Sequence, residues 1–377
     1  MKPINVLEII RQGETGGGES HLYDLVKGFD LVRINPIIVS FTDGNMITKM
    51  KELGIICHVI PSNKAFDFDV MRKIKQIATQ EDISLIHAHG SRAASNCVLV
   101  AKQLHIPFIY TIHGWSFHEG QNKLVYTLRA LSEKMICSQS DCVICVSQDN
   151  ALTGKMVFSL QLQKTKVIEN GVDTSLFDPN QCKPMREGLG LMPYDFAVAF
   201  IGRVTLQKDP LTFIEAIRIA HQQDERIKGI LIGEGDMDEE VDTFIQNNSL
   251  EHIVKHLPFR HDIPQVLASI EVYSLCSLWE GLSIGLLEAM AMQKAIIATP
   301  TDGTRTVIEN GKNGTIIPSK SPQELANKIL HYLYHPTEAI RHGQNARHLI
   351  MERFCSHRVS EEVFTIYQDI IKRSSVK

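Results

Sequence analysis

Four short stretches of this 377-residue chain carry side chains whose types and spacing can do chemistry. The first is EGLSIGLLEAMA, where Glu280 and Gly281 follow the apolar run VYSLCS and Ser283 stands ready to cap a helix. A helix starting there points unsatisfied N–H groups and the positive end of its dipole outward, a seat for a pyrophosphate. Glu288 falls five residues beyond Ser283, about 7–8 Å along the helix axis. One carboxylate therefore sits beside the phosphate seat and another farther along, which suits acceptance from two separate sets of sugar hydroxyls. A capping acid plus an exposed helix acid would account for either residue alone. It accounts poorly for Glu288 among Leu286, Leu287, Ala289 and Met290, because an acid buried bare costs several kcal/mol and must be paired or liganded.

The second stretch is IGRVTLQKDP, with Gly202, Arg203 and Lys208 after an apolar run. Two cations five residues apart can neutralise a diphosphate, Arg through its fork and Lys as a point charge. A solvated pair on a surface loop explains them equally well. The third is QGETGGGES, where Gly16, Gly17 and Gly18 allow close backbone approach and can offer N–H groups to an anion. Its spacing is neither G-x-G-x-x-G nor that of a P-loop, and a turn needing flexible φ explains it as well. The fourth is TIHGWSF, which puts His113 at the carboxyl end of a strand, followed by glycine. A lone histidine is more often structural than catalytic, and His87 and His89 of HAHG read as structural on the same ground.

These loops need a scaffold that holds them together. Strands are expected at INVLEII, PIIVSF, CHVI, LIHAH, PFIYTIH and CVICVS, separated by helical segments such as ESHLYDLVKGF, MITKMKELG, VMRKIKQIA and SRAASNCVLVAKQL. The alternation restarts at FAVAFIG and continues through IKGILIG, HIVKHLPF, VYSLCS and AIIATP. Strand–helix alternation implies parallel, doubly wound sheets, and two such halves imply two domains facing across a cleft. The boundary is expected between residues 177 and 195, giving domains 1–185 and 186–355. The tail 356–377 is amphipathic, with Val359, Val363, Phe364, Tyr367, Ile370 and Ile371 on one side. In open α/β sheets ligands bind beyond the carboxyl ends of strands, where all four stretches fall.

Composition narrows the class. A 44% hydrophobic and 22% charged chain is that of a globular protein, and a net charge of −4 gives no global bias toward nucleic acid. No apolar run approaches the ~18 residues of a membrane span. The opening MKPINVLEIIRQGE lacks a signal peptide's cleavage region, so a cytoplasmic location is expected. Eight cysteines in this length are not a disulfide framework, and Cys142 and Cys145 sit in an apolar run that reads as buried strand, not as a redox or metal pair.

Taken together, these motifs resemble glycosyltransferase family 4, retaining enzymes of the GT-B fold. The resemblance runs in order through GGGES, HAHG, TIHGW, CVSQ, IENGVDTSLF, IGRVTLQKDP, LIGEGD, PFRHDIP, EGLSIGLLEAMA and TDGTRTVIENGKNG, nearly the whole chain. It implies two Rossmann-like domains, the first for the acceptor and the second for the nucleotide-sugar, with the C-terminal helix crossing back to the first. It implies that Arg203 and Lys208 bind the donor diphosphate, that Glu280 holds hydroxyls of the sugar and that Glu288 holds the ribose. Gly202 belongs to the same donor loop. Backbone N–H groups of Ser283, Ile284, Gly285 and Leu286 add to sugar and phosphate binding, and Gly16, Gly17 and Gly18 close over the phosphates. His113 lines the site near the transferred sugar, and the backbone of Arg260 meets the base. Two departures stand out: Leu282 and Ser283 where the family often has Phe-Pro or Phe-Gly, and Asp236 where a proline is common.

The implied reaction moves a hexose-type sugar from a nucleotide-diphosphate sugar, a UDP-sugar by preference over GDP, to a hydroxyl of a glycan or lipid-linked acceptor. The implied setting is surface polysaccharide or glycoconjugate synthesis at the inner face of a membrane. No organic cofactor is implied, and without an Asp-x-Asp at a strand end metal independence is expected. VMRKIKQIA combines Met71, Ile74 and Ile77 with Arg72, Lys73 and Lys75, either an ordinary amphipathic helix or a means of docking on an anionic membrane. The rivals are a GT-B epimerase, a phosphorylase, which needs a pyridoxal phosphate lysine and a longer chain, and a non-catalytic binding protein on this scaffold.

Overall fold

The computed structural model describes residues 3–14, 16–118 and 120–374; the chain ends, Thr15 of the glycine loop and Glu119 lie outside the described residues. The chain forms two units, Met1–Gly171 together with Ser356–Lys377, and Val172–Cys355.

The first unit holds β1 (Ile4–Ile10), β2 (Ile34–Ser40), β3 (Ile56–Val59), β4 (Leu85–His89), β5 (Phe108–Ile112), β6 (Cys142–Cys145) and β7 (Thr165–Val167). They form one sheet in the order β3-β2-β1-β4-β5-β6-β7, and every pairing is parallel. Both faces are covered, which is why the strands read as near-continuous apolar runs. Leu7 and Ile9 join a core with the helices Phe68–Gln80 and Ser91–Leu104, whereas Val6 and Ile10 pack with Gly17–Lys27 and the C-terminal helix Ser356–Ser374. The order reverses between β1 and β4, so the loops leaving their carboxyl ends part there and open a crevice.

The second unit repeats the plan with β8 (Phe196–Ile201), β9 (Ile227–Ile232), β10 (Val254–Leu257), β11 (Val272–Leu275), β12 (Ala295–Ala298) and β13 (Thr315–Ile316), ordered β10-β9-β8-β11-β12-β13. Its switch point lies between β8 and β11. The strands β7 and β13 carry no apolar run long enough to announce them; they add on at the sheet edges as the short segments TKV and TI.

The structure bears on three expectations. The chain passes from one unit to the other at Gly171, earlier than residue 185. The reason is local: Val172 N–H donates to Phe354 O at 2.9 Å, and Arg347 bonds Phe177 O at 3.0 Å and pairs with Asp178 at 3.3 Å, which fastens residues 172–178 to the end of the second unit. The C-terminal helix is part of the first unit: Val359, Val363, Phe364, Tyr367 and Ile370 enter its core, and Ser360 Oγ donates to Leu25 O at 3.1 Å. The helix carrying VMRKIKQIA buries Met71 and Ile74, with Ile77 packed against the same core, so its apolar side is spent inside the protein and is not available to a membrane. Among the described residues no helix is long and apolar enough to cross a membrane.

Candidate active site

In the second unit the loops leaving β8 and β11 lie side by side at the switch point. They are stitched together by Leu278 N–H to Gln207 O at 2.8 Å and Gln207 Nε2 to Trp279 O at 2.9 Å. This brings Lys208 Nζ to 2.5 Å from Glu280 Oε2, with side chains only 12% and 15% exposed. Ser277 Oγ donates to the same oxygen at 3.3 Å, while Oε1 takes no bond from the described residues. Gly202 lies under Lys208, with room for a Cβ 3.7 Å from Cε. Arg203, from the same loop, is exposed.

Ser283 caps the helix Ile284–Ala291, its Oγ accepting from Leu286 N–H at 3.4 Å. Ile284 and Leu286 are buried, and a Cβ on Gly285 would stand 2.9 Å from the Tyr273 hydroxyl, so the first turn rests directly on β11. Glu288 is half-buried on this helix. Burial pushes the Tyr273 hydroxyl far up, and the charges of Glu288 and Glu280 push it further, which places both carboxylates around one phenol. The Glu280 loop is held from behind by Gly303, whose absent Cβ would fall 1.7 Å from Gly281 O. Arg260 follows β10 at the same sheet edge, but its guanidinium is clamped on Asp262 at 2.8 and 2.6 Å, leaving its backbone as the group open to a ligand.

In the first unit the helix Gly17–Lys27 starts at the glycine run, with Gly16 at its N-cap and no side chain capping it. The turn at Gly18 faces His113: a Cβ there would make ordinary contact, 3.6 Å from the imidazole Cδ2. Nothing lies within 4 Å of a Cβ on Gly17, so space alone does not demand glycine at that position.

Behind His113 is a buried chain of polar groups. Parallel register sets Glu8 of β1 opposite His87 of β4, and His89 opposite Thr111 of β5, so all four point to one face of the sheet. Glu8 accepts from Tyr367 Oη at 2.7 Å and from His89 Nε2 at 2.9 Å, with His87 Nδ1 at 3.2 Å. His87 also meets Tyr367 Oη at 2.5 Å and Thr111 Oγ1 at 2.7 Å. His89 Nδ1 then lies 3.2 Å from His113 Nε2. Burial alone would raise the Glu8 carboxyl, but His87 and the hydrogen bonds from His87 and His89 hold it well below the ordinary range. Burial drives His89 down to about 4, His21 down to about 3 and His113 well below its ordinary value.

These facts assign the protons. A carboxylate only accepts, so His89 gives it the Nε2 proton and keeps Nδ1 as an acceptor. His113 must then donate from Nε2, and because it is neutral its Nδ1 carries a lone pair. The chain Glu8–His89–His113 thus fixes one tautomer. His21 stands edge-on to His113, ring centroids 4.8 Å apart, and is hydrogen-bonded by Asn170. Two sets in this cluster have ligand atoms within 4.8 Å of one another, His21 with His89 and His113, and Glu8 with His87 and His89, and these are the groups that could gather round a cation.

Sequence alone did not mark Glu8 or His21, gave Tyr367 only as an apolar member of the C-terminal stripe, and had His87 and His89 as structural. The lone acid in INVLEII was the available signal, by the same argument that singled out Glu288. Cys142 and Cys145 are buried on β6 with free thiols pushed up to about 11 and 12, as a structural pair should be.

Comparison with known proteins matches residues 15–176 to the Glycosyltransferase Family 4 description and residues 184–349 to Glycosyl transferases group 1. The chain belongs to this family. It is a group 1 glycosyltransferase of family 4, and therefore an enzyme. EpsD of Bacillus subtilis (strain 168) is 27% identical over 305 residues, 79% of this chain and 80% of that one. The UDP-Gal:alpha-D-GlcNAc-diphosphoundecaprenol alpha-1,3-galactosyltransferase of Escherichia coli is 24% identical over 312 residues, 81% and 80% of the two chains. The crystal structure of Anabaena HepE in complex with UDP-glucose superposes with a TM-score of 0.85 at 23% identity, covering 97% of this chain and 100% of that one. The two Rossmann-like units are accordingly those of the GT-B fold.

Proposed function

We propose that this group 1 glycosyltransferase is a retaining hexosyltransferase that uses a UDP-sugar and glycosylates a hydroxyl of a glycan or lipid-linked acceptor in surface polysaccharide or glycoconjugate synthesis. The observation that carries the reading is the Lys208–Glu280 pair at the switch point of the second unit, beside a helix N-terminus. The bound UDP-glucose of HepE and the diphosphoundecaprenol acceptor named for the E. coli relative support the choice of donor and acceptor class.

On this reading Val172–Cys355 takes the donor and the first unit takes the acceptor. Arg203 and Lys208 hold the diphosphate, Arg203 as a fork and Lys208 as a point charge. Glu280 offers Oε1 to sugar hydroxyls and Glu288 accepts from the ribose. N–H groups of Ser283, Ile284, Gly285 and Leu286 add the helix-end dipole, the backbone at Arg260 meets the base, and Gly202 lets the phosphates approach.

The bond from the anomeric carbon to the β-phosphate oxygen breaks, and UDP leaves with the electron pair. The acceptor oxygen forms the new bond on the same face, and its proton passes to the departing phosphate oxygen. Arg203 and Lys208 stabilise the charge that develops on that oxygen. Glu280 is engaged by Lys208, so it serves as a holder of hydroxyls and not as a covalent nucleophile. His113 presents its Nδ1 lone pair to a sugar or acceptor hydroxyl. Glu8 and His89 act through His113, as positioning residues.

A thermal-shift screen against UDP- and GDP-sugars tests donor choice without an acceptor, and NMR of the product reads the anomeric configuration. An inverted product overturns the mechanism. Nucleotide release that needs an acceptor separates transfer from epimerisation.

A further inference from the structure

We infer that the helix Lys123–Gln139 is a membrane-docking surface for an anionic lipid bilayer. It packs inward through Ala130, Glu133, Ile136 and Cys137. On the opposite side it presents Leu124 at 67% exposure, Leu128 at 58% and Leu131 at 56%, with Val125 at 40% beside them. Positions i, i+4 and i+7 form one stripe, and it points roughly away from Glu133, so this helix has an apolar face turned to water as well as one turned to the core.

Charge decides what covers the stripe. Lys123, Arg129 and Lys134 are exposed along the helix. Its single acid, Glu133, is wholly buried, accepting from Ser91 Oγ at 2.6 Å, Ser116 Oγ at 2.7 Å and Tyr110 Oη at 2.9 Å. The outward face is therefore aliphatic and cationic without an exposed acid, in a chain whose net charge is −4. A second copy of the chain meeting this face symmetrically would set like charges together. Anionic headgroups pair with the cations while the leucines enter the acyl boundary. The neighbouring helix Gln148–Phe158 adds exposed Leu152, Met156 and Lys155.

The surface belongs to the first unit, and its test needs neither donor nor acceptor. The full chain is sedimented with phosphatidylcholine vesicles with and without phosphatidylglycerol. Binding is expected only with the anionic lipid and should fall with salt. Leu124→Ser/Leu128→Ser/Leu131→Ser and Lys123→Gln/Lys134→Gln should each weaken it by at least about tenfold. Lys73→Gln/Lys75→Gln, on the helix whose apolar side is buried, should leave it unchanged. No binding at low salt, or equal binding by the triple serine variant with its circular dichroism and melting intact, overturns the inference. A dimer in the ultracentrifuge that the serine variant dissolves assigns the face to a second copy and overturns it too.

Discussion

Replacing Glu280 by glutamine separates two tasks that the site combines. Glu280 Oε2 holds Lys208 Nζ at 2.5 Å and Ser277 Oγ at 3.3 Å. At this degree of burial an effective dielectric near 20 gives unit charges ~4 Å apart about 4 kcal/mol of attraction, much of it offset by desolvation. Glu280→Gln removes that competitor for the Lys208 charge. UDP itself should therefore bind as well as before or up to about tenfold better, a change of up to about 1.4 kcal/mol. The UDP-sugar shares that gain but loses a charge-assisted bond to its hydroxyls, about 1.5–3 kcal/mol, so its affinity should fall about ten- to a hundredfold relative to that of UDP. Lys208→Met acts differently, because it removes the cation and leaves a carboxylate beside the diphosphate. Both ligands should then weaken by about a hundredfold or more. Calorimetric titration of UDP and the UDP-sugar into the three proteins reads all six affinities. If Glu280→Gln weakens both ligands equally, Glu280 acts only by holding Lys208 and the assignment of its free oxygen to the sugar is wrong.

Three further outcomes follow from the geometry. His89 and His21 titrate in the folded protein at about 4 and about 3, below their ordinary value of 6.5, so between these limits the unfolded chain binds more protons. Stability is then complete above pH 6.5 and falls as the pH drops toward 4, by up to about 1.4 kcal/mol per pH unit for each histidine; urea unfolding followed by Trp115 fluorescence in a Trp279→Phe background reads it, and a flat profile contradicts it. Tyr367→Phe keeps the ring but removes a buried donor to a charged group and should cost about 1.5–3 kcal/mol in the same assay, whereas an unchanged midpoint would mean that Glu8 does not need the phenol. Gly303→Ala places a methyl where Gly281 O stands and should cost more than about 2 kcal/mol and weaken UDP-sugar binding with it; normal binding would free the Glu280 loop from that support.

The sequence made much of this structure legible, and unevenly. Strands β1 and β4 were readable to the residue because burial on both faces leaves long apolar runs, and the helix Ser91–Leu104 because its ends are marked by glycine and by a break in periodicity. The edge strands β7 and β13 were not, since one neighbour and one half-buried face impose little pattern on two or three residues. Glu280, Lys208 and Ser283 stood out because their motif is local and ordered along the chain. The Glu8–His89–His113 chain did not, because its members come from three strands that only parallel register sets side by side. Tyr367 was visible only as one apolar member of a stripe; its hydroxyl acquires a role when the helix docks. The passage between units was misplaced because the tie from Arg347 to Phe177 spans 170 positions.

That Glu8 lies on the first strand and Tyr367 on the last helix bears on how the polypeptide is made. Val172–Cys355 is contiguous and can complete itself as soon as it leaves the ribosome. The first unit cannot: its earliest strand carries a carboxylate that has no phenol to meet it, and a sheet face only partly covered by the helix Gly17–Lys27, until the helix Ser356–Ser374 emerges. Synthesis in sequence order therefore finishes the second unit first and closes the first one last, with the docking of Ser356–Ser374 as the step that withdraws Glu8 from water. A chain stopped short of residue 367 would end its life at that stage, with the middle folded and the beginning still open.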